Sequence, residues 1–166
     1  MKPRYFVAVP ISSETEINLR DFYQESFLTK LPVKNLHLTL LAPFFLKENR
    51  SEKELIEKIK EIKFTQFTAE FTGLDFFEQK GRKILYAKIG PENKFLELAE
   101  KVKKTLENLV EMDAGPYTSG LVPSFKAHVT LDYNFTKNIP DNFPKLNFEV
   151  GKMSVFKEEN KGWKRL

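Results

Sequence analysis

Two histidines occur in the 166 residues, and both stand in the same phrase: Asn35-Leu36-His37-Leu38-Thr39-Leu40 and, 91 residues on, Lys126-Ala127-His128-Val129-Thr130-Leu131. This pair restricts the fold more than any other feature of the chain. Side chains of a strand alternate between its two faces. His37 and Thr39 therefore share one face, and Leu36, Leu38 and Leu40 take the other. In the second copy His128 and Thr130 share a face with Ser124, Lys126 and Asp132, while Ala127, Val129 and Leu131 lie opposite. Each copy reads as a strand with a buried apolar side and a narrow polar strip. On composition, a Thr two places and a Leu three places after a given His is expected about once in two hundred. Both histidines have them, and Pro32 and Pro123 each stand five residues before the His, so chance is a poor account.

Two such strips brought together offer one ligand two titratable bases and two hydroxyl donors. A lone strand histidine is ordinarily a hydrogen-bonded structural residue, but a structural role does not call for Thr at the same offset in both copies. A zinc site ordinarily has three protein ligands, and Asp132 alone does not complete a set with the two histidines. General acid–base catalysis on a phosphodiester uses what is present. Imidazole titrates near neutral pH, so one neutral and one protonated ring coexist there. In-line displacement needs them on opposite sides of phosphorus, one from each half of the chain. Thr39 and Thr130 suit hydrogen bonds to the non-bridging oxygens as charge builds there.

Two H-[LV]-T-L motifs about ninety residues apart resemble the two-histidine (2H) phosphoesterase superfamily, whose LigT-like members include RNA 2′,3′-cyclic phosphodiesterases and 2′-5′ RNA ligases. The resemblance extends to the opening strand, Arg4-Tyr5-Phe6-Val7-Ala8-Val9-Pro10. It includes Gly73-Leu74 with Phe77, and Arg82-Lys83-Ile84-Leu85-Tyr86-Ala87, similar to a central hairpin with an aromatic at the Tyr86 position. It implies an α+β fold: two pseudo-symmetric lobes of antiparallel sheet backed by helices around a central cleft, one motif strand per lobe. It implies catalysis by His37, Thr39, His128 and Thr130 on RNA ends or small cyclic nucleotides, without metal or cofactor. Relatives commonly carry a basic residue where Asp132 stands, and Lys126, on the catalytic face by alternation, is the candidate to supply that charge. A nucleotide-binding module with little turnover and a 2′-5′ RNA ligase are the competing readings.

Composition bounds the rest. With 41% hydrophobic and 30% charged residues the chain reads as an ordinary globular domain spanning 1–166. There is no cysteine, so disulfides and thiolate chemistry are out. The apolar run 5–11 is too short and lacks a cleavage site for a signal peptide, and nothing reaches membrane-spanning length. A cytoplasmic monomer is expected. The net charge of +4 leans toward polyanionic partners.

Taken in order, residues 4–10 read as a strand. Ser13 with Glu16 reads as a capping box for a helix burying Leu19, Phe22, Tyr23 and Phe27. The first motif strand follows, to about Pro43. Ser51 with Glu54 opens a second helix with a Leu55, Ile56, Ile59 and Ile62 stripe. Residues 67–77 and 82–89 form a hairpin across Gln79-Lys80-Gly81. Pro91 opens a third helix carrying Phe95, Leu98, Val102, Leu106 and Leu109. Residues 113–123 and 134–145 read as loops near the cleft mouth, and strands at 146–156 and 162–166 finish the chain. Phe44, Phe125, Tyr86, Tyr133 and Trp163 neighbour these elements and are read as packing residues.

Overall fold

In a computed structural model, which describes residues 1–113 and 125–166, the motif strands occupy the middle of one antiparallel sheet. The element order is β1 (Tyr5–Pro10), α1 (Ser13–Phe27), β2 (His37–Leu46), α2 (Glu52–Glu61), β3 (Phe67–Gln79), β4 (Arg82–Gly90), α3 (Glu92–Leu106), β5 (Val110–Met112), β6 (His128–Asp132), β7 (Asn147–Val150), β8 (Ser154–Glu159) and β9 (Gly162–Arg165). Across the sheet the strands run β7-β3-β4-β6-β2-β1-β8-β9, with β5 on the far end of β2. The sheet curls into a half-barrel. The expected α+β architecture is present, with the two lobes' sheets joined edge to edge where β6 meets β2.

All three helices cover one face. Leu19, Phe22, Tyr23 and Phe27 of α1, Leu55 and Ile59 of α2, and Phe95, Leu98, Val102 and Leu106 of α3 share one core with Val7, Val9, Leu38, Leu85, Ala87 and Val129 of the strands. Apolar positions three and four apart explain the helices, and alternation explains the strands. The opposite face carries a second, smaller apolar cluster of Phe6, Ala8 and Phe156, with Trp163 against it. That is why the run 5–9 is apolar throughout: β1 is covered on both sides.

Helix starts follow local chemistry. The α1 cap is Ser12, whose hydroxyl accepts from the Thr15 backbone N–H; the expected Ser13–Glu16 box is one residue late. Ser51 caps α2 through the Glu54 N–H, as expected. Such caps contribute about 1 kcal/mol each. The β3–β4 hairpin turns on Lys80 and Gly81, both at positive φ (49° and 74°), the geometry of a two-residue hairpin turn that follows the strand twist.

Three features depart from the sequence reading on long-range grounds. The strand expected at 146–156 is two strands separated by Gly151-Lys152-Met153. β7 pairs with β3 at one edge of the sheet, and β8 pairs with β1 in the other half. Alternation reads the same on either side of a glycine, so the pattern does not reveal that the chain changes partners there. The segment 134–145 packs against α1 on the helix side rather than beside the motif strands. Phe135 stacks edge-on to Phe27, Phe143 meets Phe22 and Phe71, and the Lys137 ammonium donates to the Phe27 carbonyl. Three residues too short to show a period, Val110–Met112, pair with the end of β2 as β5. The 113–123 loop, including Pro123, lies outside the described residues beyond Asp113.

Candidate active site

β2 and β6 pair antiparallel with Leu38 opposite Val129. Both of these side chains are buried in the helix-side core. The register therefore sets His37 opposite Thr130 and Thr39 opposite His128, all four on the concave face. Directly opposed Cβ atoms lie about 5 Å apart and diagonal ones about 7–8 Å. The imidazoles occupy one diagonal and the hydroxyls the other, a spacing that a single phosphate can bridge. Thus the structure brings the four motif side chains to one place.

Each ring is oriented by the same local bond. His37 Nδ1 lies 2.8 Å from the Asn35 carbonyl oxygen, and His128 Nδ1 lies 2.7 Å from the Lys126 carbonyl oxygen. A carbonyl only accepts, so Nδ1 carries the hydrogen in both rings. Nε2 is then the titrating atom: bare when the ring is neutral, a donor when it is charged. Burial lowers both pKa values below the ordinary 6.5 by disfavouring the charged form, and the carbonyl bond opposes this. His128 further lowers His37. Lys126 further lowers His128, and Glu92 pulls it the other way.

Aromatic rings wall the site on both sides. Phe6 stacks on His37 with centroids 4.8 Å apart and lies parallel to Phe156 at 4.7 Å, with Trp163 edge-on to Phe6 at 4.7 Å. On the other side Phe77 and Tyr86 stack at 4.1 Å, and both meet His128 edge-on, at 5.2 and 5.4 Å. Sequence alone marks Tyr86 and Trp163 as packing residues near the motif strands, and does not mark the other three as walls of the site. Phe6 and Phe156 are legible as the second apolar parity of their strands. Phe77 is legible as the concave-face residue two places from Asp75, which pairs with Tyr86. Phe44 and Phe125 belong to the helix-side core or pack against it, as expected. Tyr133 does not: it is 55% exposed.

The residues flanking the second motif separate. Lys126 lies on the concave face, its ammonium 5.2 Å from the Tyr86 ring centre and 5.7 Å from that of Phe77. A hydrogen bond with the Tyr86 hydroxyl is the main cause that raises its pKa. Asp132 does not share that face, contrary to simple alternation. Tyr86 pairs with Thr130 but Leu85 pairs with Asp132, so Leu131 is one extra residue on β6. Such a bulge reverses the faces beyond it. Asp132 lies on the helix side with Leu85, where Tyr23 Oη donates to it at 2.8 Å and the Asn134 N–H at 2.8 Å. The same bulge occurs in β2: Ala8 pairs with Thr39, and Val7 with Leu41. Ser124 lies outside the described residues. Among the described residues no three His, Asp or Glu side chains cluster as metal ligands.

Paired His-x-Thr strands on the concave face of a half-barrel define a two-histidine phosphoesterase type of protein, and the sequence comparison agrees. The chain belongs to the 2′-5′ RNA ligase superfamily, whose description matches residues 11–162. Among solved structures it is similar to TT0787 of Thermus thermophilus, at 27% identity and a TM-score of 0.69, over 98% of this chain and 93% of that one. LigT of E. coli is similar in fold. Its complex with phosphate is 20% identical with a TM-score of 0.65, over 100% of this chain and 96% of that one. Its complex with 3′-AMP is 22% identical with a TM-score of 0.67, over the same shares, 100% and 96%. No curated protein matches the chain. No helix among the described residues is long and apolar enough to cross a membrane.

Proposed function

We propose that the protein is a metal-independent phosphodiesterase that opens 2′,3′-cyclic phosphates at RNA ends or on small nucleotides, with His37 and His128 as general acid and base. The observation that carries this is the pair of rings on one face, each with Nδ1 tied to the carbonyl two residues earlier and Nε2 left to exchange a proton. A phosphate between them is attacked by water on one side. The neutral ring takes the water proton, the new P–O bond forms, the bond to the 3′ oxygen breaks, and the imidazolium protonates that oxygen. The product is a 2′-phosphate, and the rings exchange protonation states until solvent resets them. Thr39 and Thr130, on the other diagonal, donate to the non-bridging oxygens as their charge grows. Lys126 offers a cation beside the same phosphate. Asp132, turned to Tyr23 by the bulge, does not oppose it there.

Purified protein assayed on a 2′,3′-cyclic mononucleotide and on a cyclic-ended oligonucleotide should turn over at least one of them, with the rate unchanged by EDTA. Loss of rate in EDTA restored by zinc or manganese would replace this mechanism with a metal-assisted one. Binding without turnover, equal in His37→Ala and His128→Ala, would replace it with a binding module. Joining rather than opening of ends would mark the same chemistry run backwards, a 2′-5′ ligase.

A further inference from the structure

The two halves of the sheet differ in the charge they present beside their histidine. His37 has Pro10 as its cross-strand neighbour on β1; in the matching place His128 has Lys88 on β4. Lys88 alternates with the buried Ala87 and Ile89, so it stands on the concave face. Its chain runs toward β3 over Gly73, its direct partner there. A Cβ on Gly73 would lie 3.5 Å from Lys88 Cε and 3.9 Å from Nζ, so the ammonium rests against bare backbone. Among the described residues no carboxylate forms an ion pair with Lys88 or Lys126, and residues 114–124 contain no acidic side chain. In the other half the matching place is Pro10, and the cations stand farther out, Arg165 on β9 across from Phe156 and Arg4 just before β1. Arg4 is held by Glu158 at 2.6 Å and Asp113 at 3.0 Å.

Two carboxylates lie near Lys126, and both have other partners. Asp75 Oδ1 accepts the Phe76 N–H at 2.9 Å, and Glu92 Oε1 accepts the Ala127 N–H at 2.9 Å. Lys88 pairs with His128, and Lys126 stands two residues before that His on the same face, so both side chains are long enough to reach one anion beside it. An ammonium without a carboxylate, beside stacked rings and next to a reacting phosphate, is suited to a phosphate oxygen as a compact cation.

Resting on the proposed function for the position of the reacting phosphate, we infer that Lys88 with Lys126 forms a second anion subsite on the His128 side, which takes the phosphate on the 5′ side of the terminal nucleoside. The substrate is then a chain end carrying that second phosphate, and the strand leaves the site across β4 and β3 rather than across β1 and β8. A cyclic mononucleotide without a 5′-phosphate fills the catalytic place only.

The test is binding, so that it stands apart from turnover. Adenosine 2′-monophosphate and a 2′-phosphorylated triadenylate are titrated into wild type, Lys88→Gln, Lys88→Arg and Asp75→Asn across a salt series from about 50 to about 200 mM. The trinucleotide should bind wild type roughly tenfold tighter, with a salt slope steeper by about 0.7 for the added phosphate contact. Lys88→Gln should abolish both differences and leave the mononucleotide unchanged. Lys88→Arg should restore them, and Asp75→Asn should tighten the trinucleotide alone. Equal loss for both ligands in Lys88→Gln, an unchanged trinucleotide slope, or no binding of either ligand to folded wild type would overturn the subsite. Turnover of the cyclic mononucleotide is read separately and judges the phosphodiesterase alone. Turnover with an unchanged slope removes the subsite and keeps the enzyme.

Discussion

The His37 half and the His128 half of the sheet agree in their His-x-Thr motif and disagree in nearly everything around it. Both carry His-x-Thr on a central strand, both tie Nδ1 to the carbonyl two residues back, and both bulge one residue beyond the Thr. Yet His37 lies flat on Phe6 among rings, with the uncharged Pro10 as its neighbour on β1. His128 meets its rings edge-on and has Lys88 and Lys126 beside it. In the proposed mechanism transition-state contacts to a phosphate come from two sides, which accounts for the paired features. In the same proposal contacts to the rest of a nucleotide fall on one side, which leaves the surroundings free to differ.

The largest effect that could break this pairing is removal of either ring. Acid and base act in one step, so His37→Ala and His128→Ala should each lower kcat by roughly 10²–10⁴-fold, and the double variant should fall far short of the product of the two. A strongly one-sided result in single-turnover assays would end the equivalence of the halves. Thr39→Val and Thr130→Val should cost less, on the order of 10–10³-fold each in kcat, as lost transition-state hydrogen bonds. If only one of them matters, the phosphate sits against one strand.

The pH dependence sharpens the comparison by a smaller factor. The proposed mechanism needs one neutral and one charged ring, and burial lowers both pKa values from 6.5. A lowered pKa means that the charged form is lost at a lower pH. The bell in kcat/KM, which reports the free enzyme, should therefore peak on the acid side of the ordinary imidazole value and decline through neutral pH as the acid gives up its proton. Lys126→Gln removes one cause that lowers His128, so the limb that His128 dominates should move to higher pH. Steady-state profiles of wild type and variant measure this directly.

The smallest effect belongs to a residue placed on the helix side. Tyr23→Phe removes the donor to Asp132, which should cost about 1–2 kcal/mol and lower Tm by roughly 2–8 °C on the scale of about 2–4 °C per kcal/mol. With the bulge turning Asp132 away from the concave face, kcat on a cyclic substrate should stay within about twofold, a change of under half a kcal/mol in the barrier. A large kcat loss with unchanged Tm would place Asp132 back in the site and the bulge argument would fail.

Sequence by itself determined the features that depend on neighbours a few positions away. Alternation put His37 with Thr39 and His128 with Thr130, opposite Leu38 and Val129. The same short-range logic placed the cap at Ser51, the apolar stripes of the three helices apart from Leu109, which lies past the end of α3 at Leu106, and the Lys80-Gly81 turn. Tertiary structure decided whatever depends on which strands meet. A period of two does not name a partner. The join of β2 to β6, the division of 146–156 between opposite halves of the sheet, and the placing of Lys88 beside His128 all come from long-range pairing. Nor does the period survive an inserted residue. Alternation put Asp132 beside the histidine pair, and one bulged leucine, Leu131, moved it to the other side of the sheet, where Tyr23 donates to it.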